Sequence, residues 1–271
     1  MPQLIVHPLP PILREKHFEE VSAFRPESIL REARRQKRLT DTAVPAVCVL
    51  DPDGDMVRQL KAIGRARKDE GWACYHTELC RVYEADIELG IVPCAVGASF
   101  AVLIAEQLFA SGCRLLISVS SSGQLAEIRP PPYFVLIEKA LRDEGTSYHY
   151  LPASEFSAAD PMLLEAVAGA FEQMPVPVER GATWTTDAPF RETAASISAM
   201  RNMGLLAVEM EAAALYAFAQ ARQKPVLCFA HVTNRMGRIE GDFEKGEADG
   251  LMKSLFVVVA SAKRCWSLLA P

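Results

Sequence analysis

Short apolar segments typical of buried strands alternate with segments of helical periodicity along most of this chain. After the first 40 or so residues, strands are expected at residues 44–50, 88–96, 113–120, 133–141, 177–186 and 225–234. Helices are expected at residues 56–69, 99–112, 160–174, 205–221 and 249–269. Alternation of this kind predicts an α/β fold built in layers, with helices on both faces of a central sheet.

The length and composition of the chain are those of a single folded domain. The 271 residues are 50% hydrophobic, which is enough to bury a sizeable core. We therefore expect a single domain over residues 1–271, with residues 1–40 as a helical extension packed on it. The dense basic segment LREARRQKRL, residues 30–39, is expected to form a solvated helix face.

Charge and hydropathy argue against two classes of partner. The net charge of −5 is unfavourable for a nucleic-acid-binding surface. The longest uncharged run, residues 89–105, contains Pro93 and Gly97 and is too short to span a membrane. The first residues also lack the pattern of a secretory signal. A cytoplasmic location is therefore expected, with neither a nucleic acid nor a membrane as partner.

The cysteines indicate a reducing environment. Seven are present, they form no Cys-x-x-Cys pair, and most lie inside apolar segments. This usage predicts packed, reduced thiols, with neither a disulfide framework nor a zinc site. No pattern for a metal or an organic cofactor is found, so none is expected.

The loops that follow the predicted strands are the expected place for a functional site. The loop SVSSSGQL offers hydroxyl and backbone N–H groups that suit an anion or a sugar. The loop TTDAPFRET contains Phe190, on which a flat ring could stack, and polar neighbours that could bond the edge of the ring. The alternative for this second loop is structural, with Asp187 capping a helix that begins at Pro189.

Two acids stand at the start of the predicted helix in the segment LLAVEMEAAALYAFAQA. Glu209 and Glu211 flank Met210 directly before a long apolar helix face. A carboxylate that faces a cleft can accept hydrogen bonds from the vicinal hydroxyls of a sugar, and a methionine can pack against the apolar face of the sugar. The alternative is a buried acid that backbone donors satisfy. The run of apolar residues beside the two acids favours the sugar site.

Four motifs in the same order resemble the nucleoside phosphorylase family, and its uridine phosphorylase branch in particular. AVEMEAAALYAFA resembles the family signature, and LRDEGTSYHY, GATWTTDAPF and HVTNRMG resemble three further motifs of that branch. The resemblance implies a three-layer α/β fold with a mixed central sheet and a small-molecule nucleoside as ligand. It also implies inorganic phosphate as co-substrate and a homo-oligomer built from dimers, either a dimer or a trimer of dimers, with a role in nucleoside salvage.

The same resemblance implies roles for the residues of these motifs. Glu211 would bind the ribose hydroxyls, Met210 would pack against the ribose, and Glu209 would support both. Phe190 and Arg191 would lie near the base.

Asn234 and Arg235 bear on the chemistry that the resemblance implies. Asn234 stands where purine-cleaving relatives carry an aspartate that protonates the departing base, and the Asn234-Arg235 pair resembles the pyrimidine branch. With Glu211, these two residues form the implied catalytic set, and a uridine-type pyrimidine nucleoside is the expected substrate.

The phosphate loops of the family are altered in this sequence. The family reads Gly-Asp-Pro-x-Arg at the first loop, whereas LDPDGD keeps Asp51 and has Leu50 and Gly54 at the glycine and arginine positions. At the second loop Ser118 replaces an arginine, while Ser121 and Gly123 are kept.

A third arginine of the family should fall near CYHTEL, which offers His76. The implied anion site therefore consists of Asp51, Ser118, Ser121, Gly123 and His76. Arg65, Arg67 and Arg129 are the cations that could replace the missing arginines.

Three functions follow from these observations. The first is phosphorolysis of the N-glycosidic bond, with ribosyl transfer to phosphate. The second is hydrolysis of the same bond by a water molecule, which Asp51, Asp53 or His76 would orient. The third is a nucleoside-binding protein that keeps the ribose pocket without catalysis.

Overall fold

Strands pair into one sheet at the centre of the computed structural model, which describes residues 9–173, 177–236 and 243–269. The strands are β1 (Val47–Asp51), β2 (Ala66–Lys68), β3 (Cys80–Glu84), β4 (Ile87–Pro93), β5 (Leu115–Gln124), β6 (Tyr133–Asp143), β7 (Phe156–Ala158), β8 (Val178–Thr186), β9 (Ala207–Glu209) and β10 (Val226–Asn234). Most of β1 and β10 is fully buried, because apolar segments of this kind are covered on both faces in α/β folds.

The sheet combines an open wing with a closed ring. The wing runs in the order β2-β3-β4-β1-β5. Beyond β5 the order continues through β9, β8, β6 and β10, and β10 pairs with β5 as well, so these five strands close on themselves. Parallel pairs, such as β1 with β5, occur beside antiparallel pairs, such as β3 with β4. The sheet is therefore mixed.

Helices cover both faces of the sheet. They are α1 (Pro26–Lys37), α2 (Asp55–Ala62), α3 (Ala98–Ala110), α4 (Pro161–Ala166), α5 (Ala194–Asn202), α6 (Ala212–Arg222) and α7 (Leu251–Cys265). The apolar residues of α3 and α6 belong to one core cluster, and those of α2 and α7 belong to a second cluster. Helix α1 packs Leu30 and Ala33 against Ala73. This arrangement confirms the predicted three-layer α/β fold.

Several predicted boundaries are wrong in ways that have a physical cause. The helix expected over 56–69 ends at Ala62, because Gly64 takes a positive φ of 72° and the chain turns into the edge strand β2. The helix expected over 160–174 ends at Ala166, and Gly169 has a φ of 71°; the last predicted residue, Met174, lies outside the described residues. Its predicted start is confirmed, since Asp160 accepts a hydrogen bond from the N–H of Met162 at 2.8 Å.

Two further corrections affect the site. The serine-rich segment after residue 120 is not a loop but the continuation of β5, since it pairs with β10 and β9. The helix expected over 205–221 begins only at Ala212, because Ala207–Glu209 forms the short strand β9 between β5 and β8.

Within the described ranges, no helix combines the length and the apolar character that crossing a membrane requires.

Tyr216 ties α6 to the sheet, and its hydroxyl offers a test of the packing. The fully buried hydroxyl donates to the carbonyl of Ile137 at 2.6 Å and accepts from the N–H of Cys228 at 3.0 Å. Replacing Tyr216 by phenylalanine would leave both backbone groups unsatisfied. We expect the free energy of unfolding to fall by about 2–4 kcal/mol in urea titrations.

Tyr75→Phe is the matched control. The hydroxyl of Tyr75 donates to Gln36 at 3.0 Å on an exposed part of the surface, where water can replace the partner. This variant is expected to change the free energy of unfolding by less than about 0.5 kcal/mol. Equal effects of the two substitutions would show that the Tyr216 hydroxyl does not hold α6 on the sheet.

Candidate functional site

The carboxyl ends of three parallel strands bring the predicted site residues to one edge of the sheet. β1 pairs with β5, and β5 pairs with β10, all in the parallel sense. Asp51 therefore ends β1, Ser121 lies near the end of β5, and Asn234 ends β10 on the same edge. Helix α6, which follows β9, begins beside them.

Glu211 is the buried acid of this edge. It is 2% exposed, and its Oε1 accepts a hydrogen bond from the N–H of Gly97 at 2.8 Å, directly before α3. Gly97 has a φ of 86°, which favours glycine at this position. The Oε2 of Glu211 accepts a hydrogen bond from the N–H of Met210 at 3.3 Å.

The charge state of Glu211 is set by this environment. Burial, together with the nearby carboxylate of Glu209, raises the pKa of Glu211 to about 8. The hydrogen bonds from the N–H groups of Gly97 and Met210, and the nearby hydroxyl of Ser120, lower the pKa only in part. Glu211 therefore combines a fixed orientation with an acceptor oxygen that is poorly compensated inside the protein.

Glu209 has a different environment, although it is also buried. Its Oε1 accepts hydrogen bonds from the hydroxyls of Thr183 and Thr185. Its Oε2 accepts from the N–H groups of Glu211 and Ala212, each at 2.7 Å. Burial raises the pKa of Glu209, and these hydrogen bonds lower it in part. All four donors belong to the protein, so Glu209 holds the start of α6, and Glu211 with it.

Met210 and Asn234 complete this edge. Met210 is partly exposed between the two acids, as a contact with a ligand would require. Asn234 is 6% exposed; its Oδ1 accepts from the N–H of Met236 at 3.0 Å, and its Nδ2 donates to the carbonyl of Ser122 at 3.4 Å. The exposed Arg235 lines a cavity of about 220 Å³ together with Gln124 and Arg201.

The loop with the predicted base-binding residues lies at the surface. Phe190 is 100% exposed and stands on a 3₁₀ turn, Pro189–Arg191, next to the exposed Arg191. The structural alternative for this loop is right about a helical turn that begins at Pro189 but wrong about its cap. The Asp187 carboxylate instead accepts from the N–H of Gly145 at 2.9 Å. The helix that follows is α5, and it is capped by Thr193.

An aspartate occupies the donors of the predicted anion site. Asp53 Oδ2 accepts from both the N–H and the hydroxyl of Ser121, at 3.0 and 2.6 Å. Lys245 Nζ lies 3.0 Å from the same oxygen and also pairs with Asp55. Asp51 is buried and accepts from the N–H of Val57 at 3.0 Å. Burial, with Asp53 and Asp55 nearby, raises the pKa of Asp51 to about 7.

Sequence reasoning missed Lys245 and the contact between Asp53 and Ser121. The repeated aspartates in LDPDGD were a signal for Asp53. No motif marks Lys245, which comes together with Asp53 only through the fold.

The other members of the predicted anion site do not join Ser121 around a common point. Ser118 is 1% exposed, and its hydroxyl is one of the buried polar atoms with no hydrogen-bond partner in the part of the chain that is described. Gly123 is covered by Met236, whose Sδ lies 2.0 Å from where a Cβ would stand. His76 lines a separate cavity with Asp69 and Trp72.

The cations proposed as replacements lie elsewhere. Arg65 pairs with Glu84, and Arg129 pairs with Glu179. Arg67 is exposed on the edge strand β2. Arg65 and Arg129 are thus held in ion pairs, and none of the three is among the described residues that line the small cavity at Asp51 and Asp53.

Two further features of the surface bear on ligands. A cavity of about 600 Å³ lies between α3 and the segment before α1, and Glu211 is not among the residues that line it. In the described ranges, no group of three or more His, Cys, Asp or Glu side chains is arranged to hold a metal ion.

Comparison with known proteins gives one family and one relative of known activity. The family model of the phosphorylase superfamily matches residues 42–261. A guanosine phosphorylase of Halorubrum lacusprofundi is 26% identical over 162 residues, which are 60% of this chain and 66% of that protein. The aligned part thus spans slightly less than two thirds of the length of that relative.

Solved structures share the fold at low sequence identity. A uridine phosphorylase from Vibrio fischeri, in complex with 6-hydroxy-1-naphthoic acid, is similar with a TM-score of 0.68 at 19% identity, over 83% of this chain and 92% of that chain. A 5'-methylthioadenosine/S-adenosyl homocysteine nucleosidase from Campylobacter jejuni is similar with a TM-score of 0.66 at 18% identity, over 81% of this chain and 100% of that chain.

Proposed function

The chain belongs to the phosphorylase superfamily, as its motifs predict, and from this premise we propose that it cleaves the N-glycosidic bond of a nucleoside. The observation that carries this proposal is the buried carboxylate of Glu211 at the carboxyl edge of the sheet. The N–H groups of Gly97 and Met210 donate to this carboxylate, and Glu209 fixes the backbone that carries it.

Such a carboxylate suits the reaction as well as the binding of ribose. A desolvated acceptor forms strong hydrogen bonds with two vicinal hydroxyls. When the bond from the sugar to the base breaks, positive charge develops on the sugar ring. A fixed negative charge at the hydroxyls stabilises that state more than it stabilises the ground state, which lowers the barrier.

A pyrimidine nucleoside of the uridine type is the proposed substrate. Asn234 is an amide that cannot supply a proton as a carboxylic acid can, and both ends of its amide are engaged within the protein. The names of the similar proteins give uridine, guanosine and methylthioadenosine as substrate classes for those proteins. A purine is therefore the competing class, and the test below includes it.

The test is the release of free base by the purified protein. Uridine, thymidine, guanosine and adenosine are incubated separately with the enzyme and with the Glu211→Gln variant, and the base is quantified by chromatography. Release from uridine that is lost in the variant supports the proposal. Thermal stabilisation by nucleosides without any release would instead identify a binding protein.

Other features stay predictions from the sequence and from the resemblance. These are a homo-oligomer, as a dimer or trimer of dimers, a role in nucleoside salvage, and a cytoplasmic location. The prediction of a single domain over residues 1–271, with residues 1–40 as an extension of it, is also untested.

The rate should depend on pH through Glu211. Its pKa is raised to about 8, so the carboxyl is mostly protonated below that pH and mostly ionised above it. Because the ionised form accepts the sugar hydroxyls, kcat/KM should rise about tenfold per pH unit below about pH 8 and then level off. Initial rates of base release across this range give the profile.

Unfolding provides the independent check on the sign. An acid whose pKa is higher in the folded protein holds its proton there and releases it on unfolding. The free energy of unfolding should therefore fall as pH rises from about 4.5 to about 8. Glu211→Gln should reduce this slope, and an unchanged slope would show that Glu211 ionises normally.

A further inference from the structure

The donors of Ser121 form an anion cradle that is already full. The N–H and the hydroxyl of Ser121 both point to one oxygen of Asp53, and the ammonium group of Lys245 contacts the same oxygen. One backbone donor, one hydroxyl and one cation around a single oxygen are the contacts that an oxyanion of a ligand would need. Here, a side chain of the protein makes them.

The charges around this cradle oppose a second anion. The carboxylates of Asp51, Asp53, Asp55 and Asp249 lie together with Lys245 in the lining of one small cavity. Lys245 is committed to Asp53 and Asp55. Arg58 is committed to Asp55 and Asp249, at 2.6 and 2.8 Å.

His231 adds no positive charge to this cluster. It pairs with Ser121 across β10 and β5 and stacks on Phe134 with ring centres 4.3 Å apart. Burial, and then Lys245 nearby, lowers the pKa of His231 to about 4, so the ring is neutral at pH 7. While Asp53 is in place, a phosphate dianion finds no uncommitted cation among Lys245, Arg58 and His231 and has to compete with the Asp53 carboxylate for Ser121 and Lys245.

The small cavity beside the cradle has the size of one water molecule. Its volume is about 20 Å³, whereas one water needs at least about 10–15 Å³ on this measure and two to four polar partners. Asp51, Asp53, Asp55, Lys245 and Ser254 line it and supply such partners. Phosphate does not fit in this space.

We propose that Asp53 is a built-in substitute for the acceptor anion and that the enzyme transfers the ribosyl group to water. This inference rests on the proposed function for the cleavage step. The water oxygen bonds to C1′ as the C1′–N bond breaks, and the electron pair of that bond leaves with the base. The proton of the water passes to the carboxylate of Asp51, and the base takes a proton from solvent, so free ribose and free base result.

The first experiment measures phosphate binding without relying on activity. The melting temperature of the wild-type protein is recorded with and without about 10 mM phosphate at matched ionic strength. We expect a change below about 1 °C for the wild type and an increase of at least about 3 °C for Asp53→Ser, whose cradle is open. Asp249→Ser is the matched control, because it removes a carboxylate of the same cluster and leaves the cradle filled.

Two results of this experiment would overturn the inference. One is clear stabilisation of the wild type by phosphate. The other is a folded Asp53→Ser protein that does not respond to phosphate or responds no more than Asp249→Ser. The wild-type measurement needs no variant, so the inference stays testable even when a substitution prevents folding.

The second experiment identifies the acceptor from the products. Base release from the best nucleoside substrate is followed with and without about 10 mM phosphate, and the sugar is identified by mass spectrometry in water labelled with oxygen-18. Labelled free ribose at an unchanged rate is expected. Ribose 1-phosphate, or a rate that rises with phosphate, would overturn the inference. A wild-type protein that releases no base would contradict the proposed function, whereas the melting experiment would still decide whether the cradle is filled.

Discussion

Replacing Glu211 by glutamine is expected to lower kcat/KM for the best nucleoside substrate by about 10²–10⁴-fold. The variant keeps the shape of the side chain and an oxygen for the N–H of Gly97. It loses the charge that Glu211 carries above about pH 8. Each hydrogen bond from a ribose hydroxyl to a carboxylate is worth about 1.5–3 kcal/mol, where 1.4 kcal/mol is a factor of ten. Initial rates of base release above about pH 8 measure the effect.

Glu165→Gln is the control for this substitution. This variant makes the same chemical change at an exposed position of α4, away from the strand ends. Its activity should equal that of the wild type. If Glu211→Gln retains activity within about tenfold, the loss is below about 1.4 kcal/mol and Glu211 does not bind the ribose hydroxyls.

Replacing Glu209 by alanine is expected to have the largest effect on stability. The substitution removes the acceptor of two backbone N–H groups and two threonine hydroxyls, all buried. Since each unsatisfied buried group costs about 1–3 kcal/mol and hydroxyls can turn to other partners, we expect the free energy of unfolding to fall by about 3–5 kcal/mol. Urea unfolding followed by circular dichroism measures it.

Glu209→Gln separates hydrogen bonding from charge at this position. Its amide oxygen can accept from the N–H groups of Glu211 and Ala212, while the hydroxyls of Thr183 and Thr185 can turn to accept from its amide nitrogen. We expect a loss below about 1.5 kcal/mol for this variant. An equally severe loss in both variants would contradict the view that Glu209 acts as a hydrogen-bond acceptor for the start of α6.

The centre of the sheet could be predicted from the sequence, whereas its edges could not. Buried parallel strands such as β1 and β10 are nearly continuous apolar segments, and this pattern is distinctive. Strand β2, with the sequence ARK, has no apolar pattern, and only its pairing with β3 defines it. The serine-rich half of β5 has the composition of a loop, but β10 and β9 supply partners that make it a strand.

The candidate site divides in the same way. Glu211 could be identified because an acid beside a long apolar helix face is unusual, and because its motif resembles a known family. The filled cradle could not be identified, because 68 residues separate Asp53 from Ser121 along the chain. Spacing in the sequence predicts which loops meet at a sheet edge, but it does not predict which side chain reaches the donors of another loop.

The closed ring of strands also leaves few unpaired strand edges with which another chain could pair. Among the strands in the described ranges, β2 and β7 alone have a neighbour on one side only, and each has three residues. Strand β2 carries Arg67 and Lys68, and such charges discourage pairing between edges of separate molecules. In the part of the chain that the structure describes, a protein that is half hydrophobic thus offers few strand edges at which another molecule could add a strand, and closure of the ring is one reason for this.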